Sequence, residues 1–268
     1  MPRISIIVSF FQRVRHLRCC LAGLELSRDD FHEVIIADDG SDEAVVEEVR
    51  QLASAASFPV RHVWQPKQDF RLAANRNNGI RAATGDHLLF IDTDFVLLPG
   101  AVRAHAEAAR SGRFTAAYCK YLQERPSTEL LESPLGLEAL DAIYRALDQR
   151  PIDRAHQKFN WYRWLIRLGL ARPRKLRCSS HFAIGRREME AINGYDENFQ
   201  GWGGEDEDMA LRMMLAGYTP HSVITTARAI HVWHPMEMGT QHWSQGRNVD
   251  YLNRAGVMAR CERGLVGA

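Results

Sequence analysis

The sequence lacks the features that define several broad classes of protein. Its five cysteines are an odd number without a C-x-x-C pair, so they indicate neither a disulfide framework nor a zinc knuckle. No apolar run approaches the roughly 18 residues of a membrane span, and no repeat or linker-like tract is present. No G-x-G-x-x-G motif follows a predicted strand, which argues against a dinucleotide-binding oxidoreductase.

Composition and charge are those of an ordinary globular protein. The chain has 268 residues, of which 46% are hydrophobic and 25% charged, and this length suits one folded unit with a full core. Because 34 Lys and Arg balance 33 Asp and Glu, no overall field favours nucleic acid as a partner. With free cysteines, this composition predicts a cytoplasmic protein. Arg13 and Arg15 follow the apolar start where a signal peptide would have small residues, which favours a buried first strand.

Apolar runs alternate with helix-length segments in the first half of the chain. Strands are predicted at residues 4–10, 34–37, 60–64 and 87–91, and helices at residues 14–26, 43–56 and 72–83. This alternation predicts an α/β fold with a mostly parallel sheet and helices on both faces. The second half is less regular, with helices predicted at residues 134–149, 155–170 and 205–216 and a strand at residues 182–185.

Acidic residues follow two of the predicted strands. Asp38 and Asp39 come directly after the second strand, and Asp92 and Asp94 after the fourth. The carboxyl ends of parallel strands meet at one edge of the sheet, where ligands bind. Two carboxylates flanking one residue repel each other unless a cation or hydrogen-bond donors compensate. The alternative is a turn in which aspartate side chains accept hydrogen bonds from the backbone.

Two further segments carry unusual polar chemistry. Arg71 and Arg76 lie at the start of the third predicted helix, where they suit phosphate oxygens, although arginines on helices usually lie on a solvated face. Residues 201–208 place Trp202 in a glycine-rich turn before four acidic residues that include Glu205 and Asp206. The helix dipole accounts for one or two acids there, but not for a tryptophan between glycines.

Two histidines three residues apart, His231 and His234, follow the acidic segment. A histidine pair alone is a weak metal signal. Together with Asp92 and Asp94 it predicts a mixed site of carboxylate and imidazole ligands. Such a site suits Mn²⁺, with Mg²⁺ as an alternative, better than the all-oxygen ligation of Ca²⁺.

The order of these motifs resembles that of a known family. Residues 4–11, 34–41, 85–94, 194–199 and 201–208 together resemble the inverting GT-A glycosyltransferases of family 2. The Gly-Trp-Gly-Gly-Glu-Asp stretch is also similar to β-1,4-galactosyltransferases and bacterial chondroitin-type polymerases. The resemblance implies one GT-A domain with a nucleotide-sugar-binding half at residues 1–100. An acceptor and catalytic half would follow at residues 101–240, with a helical tail at residues 241–268.

The resemblance also implies a role for each matching residue. Asp206 would be the general base, with Glu205 beside it in the catalytic segment. The donor and its nucleotide would be contacted by Ser9, Phe10, Phe11, Asp38, Asp39, Arg71, Arg76, Asp92 and Trp202. The metal would be held by Asp92, Asp94, His231 and His234. His231 stands where the galactosyltransferase pattern has a sulfur ligand.

These implications define an expected function. The protein would transfer a sugar, with galactose or an N-acetylhexosamine favoured, from a UDP-sugar to a hydroxyl of a carbohydrate or glycoconjugate, with inversion. One alternative is a non-catalytic carbohydrate-binding or scaffold protein on the same fold, since a fold alone does not establish activity. A sugar nucleotidyltransferase is less favoured, because residues 9–13 lack the glycine-rich loop of those enzymes.

Residues 161–170 combine aromatic, aliphatic and basic side chains, and further bases follow at residues 172–177. This pattern is typical of a helix lying at a membrane interface, so peripheral membrane contact is one interpretation. A helix packed on the domain with a solvated basic end is the favoured alternative.

Overall fold

The computed structural model describes residues 1–132, 136–173, 181–235 and 248–267. Within them, seven strands form a central sheet in the order β3-β2-β1-β4-β8-β6-β9. The strands are β1 (Ile4–Phe10), β2 (Glu33–Asp38), β3 (Val60–Trp64), β4 (His87–Asp92), β6 (Arg113–Ala116), β8 (Phe182–Gly185) and β9 (Thr219–Ser222). The first four strands are mutually parallel, whereas β8 is antiparallel to both β4 and β6.

Helices cover both faces of the sheet. They are α1 (Val14–Glu25), α2 (Glu43–Ala55), α3 (Leu72–Ala82), α4 (Ala101–Ala108), α5 (Glu124–Glu132), α6 (Leu137–Ala146), α7 (Arg150–Arg167), α8 (Arg186–Ala191), α9 (Glu205–Leu215) and α10 (Asn248–Leu252). Among the described residues, no helix is long and apolar enough to cross a membrane.

Alternating side chains on the buried strands create two cores. Ile6 and Val8 of β1 pack on one face with Leu17 of α1, while Ile7 packs on the other face with Ile80 of α3. Side chains of successive strand residues point to opposite faces, so a strand covered on both sides is apolar throughout. This explains why β1, β2 and β4 are mainly apolar, whereas the edge strand β3 carries Arg61 and His62.

A second, smaller sheet brings distant parts of the chain together. In it β10 (Ala229–His231) lies between β5 (Phe95–Leu97), to which it is antiparallel, and β7 (Lys120–Tyr121). His231 pairs with Phe95, and the backbone N–H of Val232 donates to the carbonyl of Asp94 at 2.8 Å. This pairing carries the histidine segment to the end of β4.

The structure confirms the predicted sheet in the first half of the chain and differs from the sequence-based prediction in the second half. The first four strands and first three helices lie within a few residues of their predicted ranges. The short strands β5, β6, β7, β9 and β10 and the helices α4, α5 and α8 were not predicted. In the C-terminal tail, the described residues form the five-residue helix α10 and then turns rather than the expected helix. Residues 134–135, 174–177 and 241–247, which entered earlier predictions, lie outside the described residues.

Candidate active site

An open cleft lies beyond the carboxyl ends of β1 and β4. From β1 the chain first extends the sheet on one side with β2 and β3, and then adds β4 on the other side of β1. Such switch points create ligand-binding crevices in α/β sheets. The cleft is lined by Ser9, Phe10, Phe11, Arg13, Asp39, Phe70, Leu72, Asn75, Asp92, Thr93 and Trp202.

The two aspartates that follow β2 have different surroundings. Asp38 is fully buried, and its carboxylate accepts hydrogen bonds from the hydroxyl and backbone N–H of Ser41, at 2.6 and 2.9 Å. Its other oxygen lies 3.0 Å from Nε2 of His62. Asp39 borders the cleft and accepts from Gln65 at 2.6 Å and from the backbone N–H of Arg71 at 3.0 Å. Of the predicted nucleotide contacts, Asp39 therefore lies at the cleft and Asp38 beneath it.

Three of the four predicted metal ligands come together at the end of β4. Asp94, His231 and His234 each offer a ligand atom, and these atoms lie within 4.8 Å of one another. Oδ2 of Asp94 lies 2.8 Å from Nε2 of His234 and 3.4 Å from Nε2 of His231. Within the described part of the chain, Asp92 is not in this group, because its carboxylate turns toward Arg76.

The electrostatics of this group favour an added cation. Burial alone would raise the pKa of Asp94, but hydrogen bonds from His231 and His234 hold that pKa well below its usual range. Burial likewise works against the charged form of His234, and its hydrogen bond to Asp94 reverses this and raises the pKa. Oδ1 of Asp94 is buried and meets no hydrogen-bond partner among the described residues. A buried carboxylate oxygen without a donor is costly unless a ligand compensates it.

Arg76 connects the cleft to the acidic start of α9. Its guanidinium donates to Asp206 at 2.7 Å and to Asp92 at 3.0 Å, and its Nε donates to Ser9 at 3.2 Å. It also lies 3.7 Å from the carboxylate of Glu205. Arg76 is almost entirely buried, so its charge acts in a medium that screens it poorly. One cation thus holds three carboxylates beside the cleft.

The acids Glu205 and Asp206 begin α9 and have perturbed pKa values. Burial raises the pKa of Glu205 to about 8, and the neighbouring Asp206 adds to this effect. Burial also raises the pKa of Asp206 to about 6, against the opposing influence of Arg76. Burial therefore favours the protonated form of both acids, and more strongly for Glu205 than for Asp206. Separated pKa values of this kind are typical of acid and base groups in active sites.

The loop before α9 holds Trp202 at the rim of the cleft. Gly201, Gly203 and Gly204 have φ values of 85°, 89° and 96°, a region that residues with a Cβ rarely adopt. The backbone N–H of Gly201 donates to the carbonyl of Phe70 at 2.8 Å, and Asn248 donates to the carbonyl of Gly203 at 2.8 Å. The glycines thus make the turn that presents the tryptophan.

The sequence analysis gave no role to some residues of the site and a different role to another. Tyr195 lies beneath Arg76, 5.2 Å from ring centroid to guanidinium carbon, and its hydroxyl donates to Asp206 at 3.3 Å. It belongs to the segment 194–199, which carried the resemblance but no assigned role.

Arg13 lines the cleft, and its Nη1 lies 4.0 Å from Asp94. The side chain of Arg71, predicted to hold the nucleotide, donates instead to the carbonyl of Pro66 at 2.6 Å.

Comparison with protein-family profiles identifies the family. The profile described as glycosyl transferase family 2 matches residues 5–190, which is more than half of the chain. The chain belongs to glycosyl transferase family 2. A profile described as the N-terminal domain of galactosyltransferase matches residues 173–235, the range that includes the Trp202 loop and the two histidines. Both matches confirm the resemblance identified in the sequence.

Individual relatives agree with this family assignment. The validoxylamine A glucosyltransferase of Streptomyces hygroscopicus subsp. jinggangensis (strain 5008) is 25% identical over 288 residues, covering 98% of this chain and 60% of its own length. The chondroitin synthase of Escherichia coli is 25% identical over 257 residues, covering 92% of this chain and 37% of its own length. The chain therefore spans less than two thirds of each of these relatives.

The fold is similar to that of a solved glycosyltransferase structure. A mannosyltransferase from Pyrobaculum calidifontis, in complex with GDP-Man and Mn²⁺, superimposes with a TM-score of 0.57 at 16% identity. The similarity covers 88% of this chain and 58% of that protein. This confirms the predicted GT-A fold.

Proposed function

We propose that this member of glycosyl transferase family 2 is a metal-dependent, inverting glycosyltransferase that uses a UDP-sugar and a hydroxyl acceptor. The observation that carries the proposal is the presence of two chemical groups beside one cleft. Arg13 links the cleft to the group of Asp94 and the two histidines, and Arg76 links Asp92 in the cleft wall to Asp206. A group that stabilises charge on the donor and a base for the acceptor hydroxyl would therefore lie beside one cleft.

The residues at the end of β4 fit a divalent ion. One carboxylate and two imidazoles suit Mn²⁺, and the buried Oδ1 of Asp94 has no competing donor among the described residues. Asp94, His231 and His234 would hold the ion, and donor phosphate oxygens would complete its coordination. A divalent ion at this place stabilises the negative charge that the departing nucleotide diphosphate develops. The Mn²⁺ named with the Pyrobaculum relative supports this choice of metal.

Asp206 is proposed as the general base. Its raised pKa of about 6 leaves it ionised at neutral pH yet close enough to neutrality to accept a proton from an acceptor hydroxyl. Attack from the face opposite the leaving nucleotide gives inversion at the anomeric carbon. Arg76 and Tyr195 both donate to Oδ1 of this carboxylate. Asp92 and Glu205 share the same arginine, so they would help to orient it.

The sugar is proposed from the family comparisons. The match to a galactosyltransferase domain and the chondroitin synthase relative favour galactose or an N-acetylhexosamine from UDP. Other relatives are named for glucosyl transfer and for GDP-Man, so discrimination between donors depends on a few contacts. Asp39, Phe10 and Phe11 border the cleft where a nucleobase and ribose would lie.

Donor binding is tested by thermal shift with UDP-galactose, UDP-N-acetylhexosamines, UDP-glucose and GDP-mannose, each with and without Mn²⁺. A ligand at about 100 times its dissociation constant adds about 2.7 kcal/mol of stability. The expected result is a shift for a UDP-sugar that requires Mn²⁺ and that is lost in Asp94→Ala. If Asp94→Ala binds the donor as tightly as the parent with Mn²⁺ present, the metal site lies elsewhere.

Catalysis is tested with Asp206→Asn in an assay of Mn²⁺-dependent sugar transfer or slow donor hydrolysis. The variant is expected to bind donor and metal normally but to lose about 10²–10⁴-fold in turnover, which is the contribution of a positioned base. Asp29→Asn, the same change at an exposed position, is the matched control. Donor binding without turnover in the parent would favour the scaffold alternative.

A further inference from the structure

One side of helix α7 packs against the core, and the opposite side faces solvent. Ile152 and Phe159 are buried in the core beneath the central sheet, and Tyr162 and Ile166 pack against the same core. A separate stripe of exposed side chains recurs every three or four residues on the opposite side of the helix: Arg150, Arg154, Gln157, Trp161, Trp164 and Leu168. The stripe is basic in its first half and apolar in its second.

The apolar half of the stripe is strongly exposed. Trp161 is 61% exposed and Trp164 is 50% exposed, and their rings stack with centroids 5.5 Å apart at an angle of 24°. Leu168 and Leu170 continue this surface at 51% and 70% exposure. Leaving large apolar side chains in water is unfavourable, and contiguous exposed apolar surface usually marks an interaction site. The helix is packed on the domain along its inner side, as the sequence favoured, and its outer side carries apolar as well as basic exposed residues.

The charge around these side chains is strongly positive. Residues 150–172 contain six Arg or Lys and one Asp, although the whole chain has a net charge of only +1. Arg167 lies on one flank of the tryptophans and Lys158 on the other, as the 100° turn per helical residue requires. Indole rings beside arginine and lysine are the side-chain chemistry that binds the interface of an anionic membrane.

We propose that α7 docks the protein on an anionic lipid surface. Trp161, Trp164 and the leucines at 168 and 170 enter the headgroup region, while Lys158 and Arg167 contact lipid phosphates. The helix lies flat on the membrane, in keeping with its packed inner side. This inference is independent of the proposed transferase activity, because it uses none of the residues of the cleft.

A glycan is the other partner that stacked tryptophans could take. Sugars are generally bound in concave sites, where carboxylates and amides fix the orientation of their hydroxyl groups. These tryptophans instead stand on the outer side of a helix, next to leucines and arginines. The neighbours therefore favour lipid over carbohydrate.

The test is flotation of the full chain with vesicles. One set contains phosphatidylcholine alone and the other includes about one phosphatidylglycerol in three lipids. Binding is expected only to the anionic vesicles and is expected to disappear at high salt, which screens charge attraction. Lys158→Gln with Arg167→Gln is expected to lower the partition coefficient about 25-fold, because each base near such a surface contributes about fivefold. Trp161→Ala with Trp164→Ala is expected to abolish binding.

Exposed residues elsewhere provide matched controls. Arg125→Gln removes a base from α5 and Met258→Ala removes an exposed apolar side chain, and both are expected to bind like the parent. Thermal melting shows that each variant is folded. Three results would overturn the proposal: no binding to anionic vesicles, equal binding to neutral ones, or unchanged binding of the tryptophan variant. Quenching of the two tryptophans by a soluble oligosaccharide, without vesicle binding, would assign the surface to glycans instead.

Discussion

The acid limb of the pH-rate profile should report the ionisation of Asp206. A base acts in its ionised form, and burial raises the pKa of Asp206 to about 6. A group with that pKa is about 90% ionised at pH 7 and about 10% ionised at pH 5, so kcat/KM should fall about ninefold between these values. An ordinary aspartate with a pKa of about 3.9 would lose less than about 10% of its ionised form over the same range.

Tyr195→Phe tests the assignment of this limb. The tyrosine hydroxyl donates to the ionised carboxylate of Asp206 at 3.3 Å and so helps to lower its pKa. Removing the hydroxyl should raise the pKa further, and the acid limb should move to higher pH. Tyr251→Phe removes a hydroxyl that donates to Asp196 at 2.8 Å and should leave the limb in place.

The assay is kcat/KM for donor turnover at saturating Mn²⁺, measured from pH 4.5 to 8 in buffers of constant ionic strength. Enzyme returned to pH 7 after each acid incubation must recover full activity, so that unfolding does not mimic the limb. A parent limb below about pH 5 would refute the raised pKa of Asp206. A limb that moves equally in both tyrosine variants would show that it reports another group.

The remaining stability predictions concern the segment around α9. A Cβ at Gly204, where φ is 96°, would lie 2.9 Å from the ring of Phe199, so Gly204→Ala should destabilise the protein and weaken donor binding. Gly217→Ala is the control, because its φ is 86° and nothing lies within 4 Å of the added Cβ, so it should cost only the backbone strain of about 1–3 kcal/mol. Equal urea midpoints for the two variants would contradict the proposed contact with Phe199. Asp208→Ala breaks a fully buried ion pair with Arg212 at 2.6 Å and should cost about 3–5 kcal/mol in urea unfolding. A loss below about 1 kcal/mol, typical of surface pairs, would show that the pair is not desolvated.

The first half of the fold was predictable because its pattern is local. The strands β1, β2 and β4 are mainly apolar and β3 alternates in part, and the helices between them have apolar residues at spacings of three and four. Parallel strands need crossover helices, so the alternation leads directly to the sheet. The positions of Asp39 and Asp92 at the cleft then follow from their places at strand ends.

The second half was less predictable because its contacts join distant segments. The strands β5 and β10 have three residues each, which is too short for a readable alternation. Their pairing nevertheless brings Asp94 to His234, 140 residues away. Arg76 likewise meets Asp206 across 130 residues, and its own segment indicated only a cation at a helix start. The partners of such a side chain depend on tertiary packing.

Asp38 and Asp39 are adjacent in one motif but have different surroundings, and substitution can separate a structural role of Asp38 from a donor-binding role of Asp39. Asp38→Asn weakens hydrogen bonds to Ser41 and His62 beneath the cleft, so it should lower the free energy of unfolding by about 1–3 kcal/mol. Its effect on the donor Kd of the folded protein should be small. Asp39→Asn alters the cleft wall itself and should weaken donor binding about 10- to 150-fold, since loss of one charged hydrogen bond costs about 1.5–3 kcal/mol. Calorimetric titration of a UDP-sugar measures the donor Kd of both variants, and urea unfolding measures their stability. If Asp38→Asn weakens donor binding as much as Asp39→Asn, both aspartates contact the nucleotide, and the buried position of Asp38 changes when the donor binds.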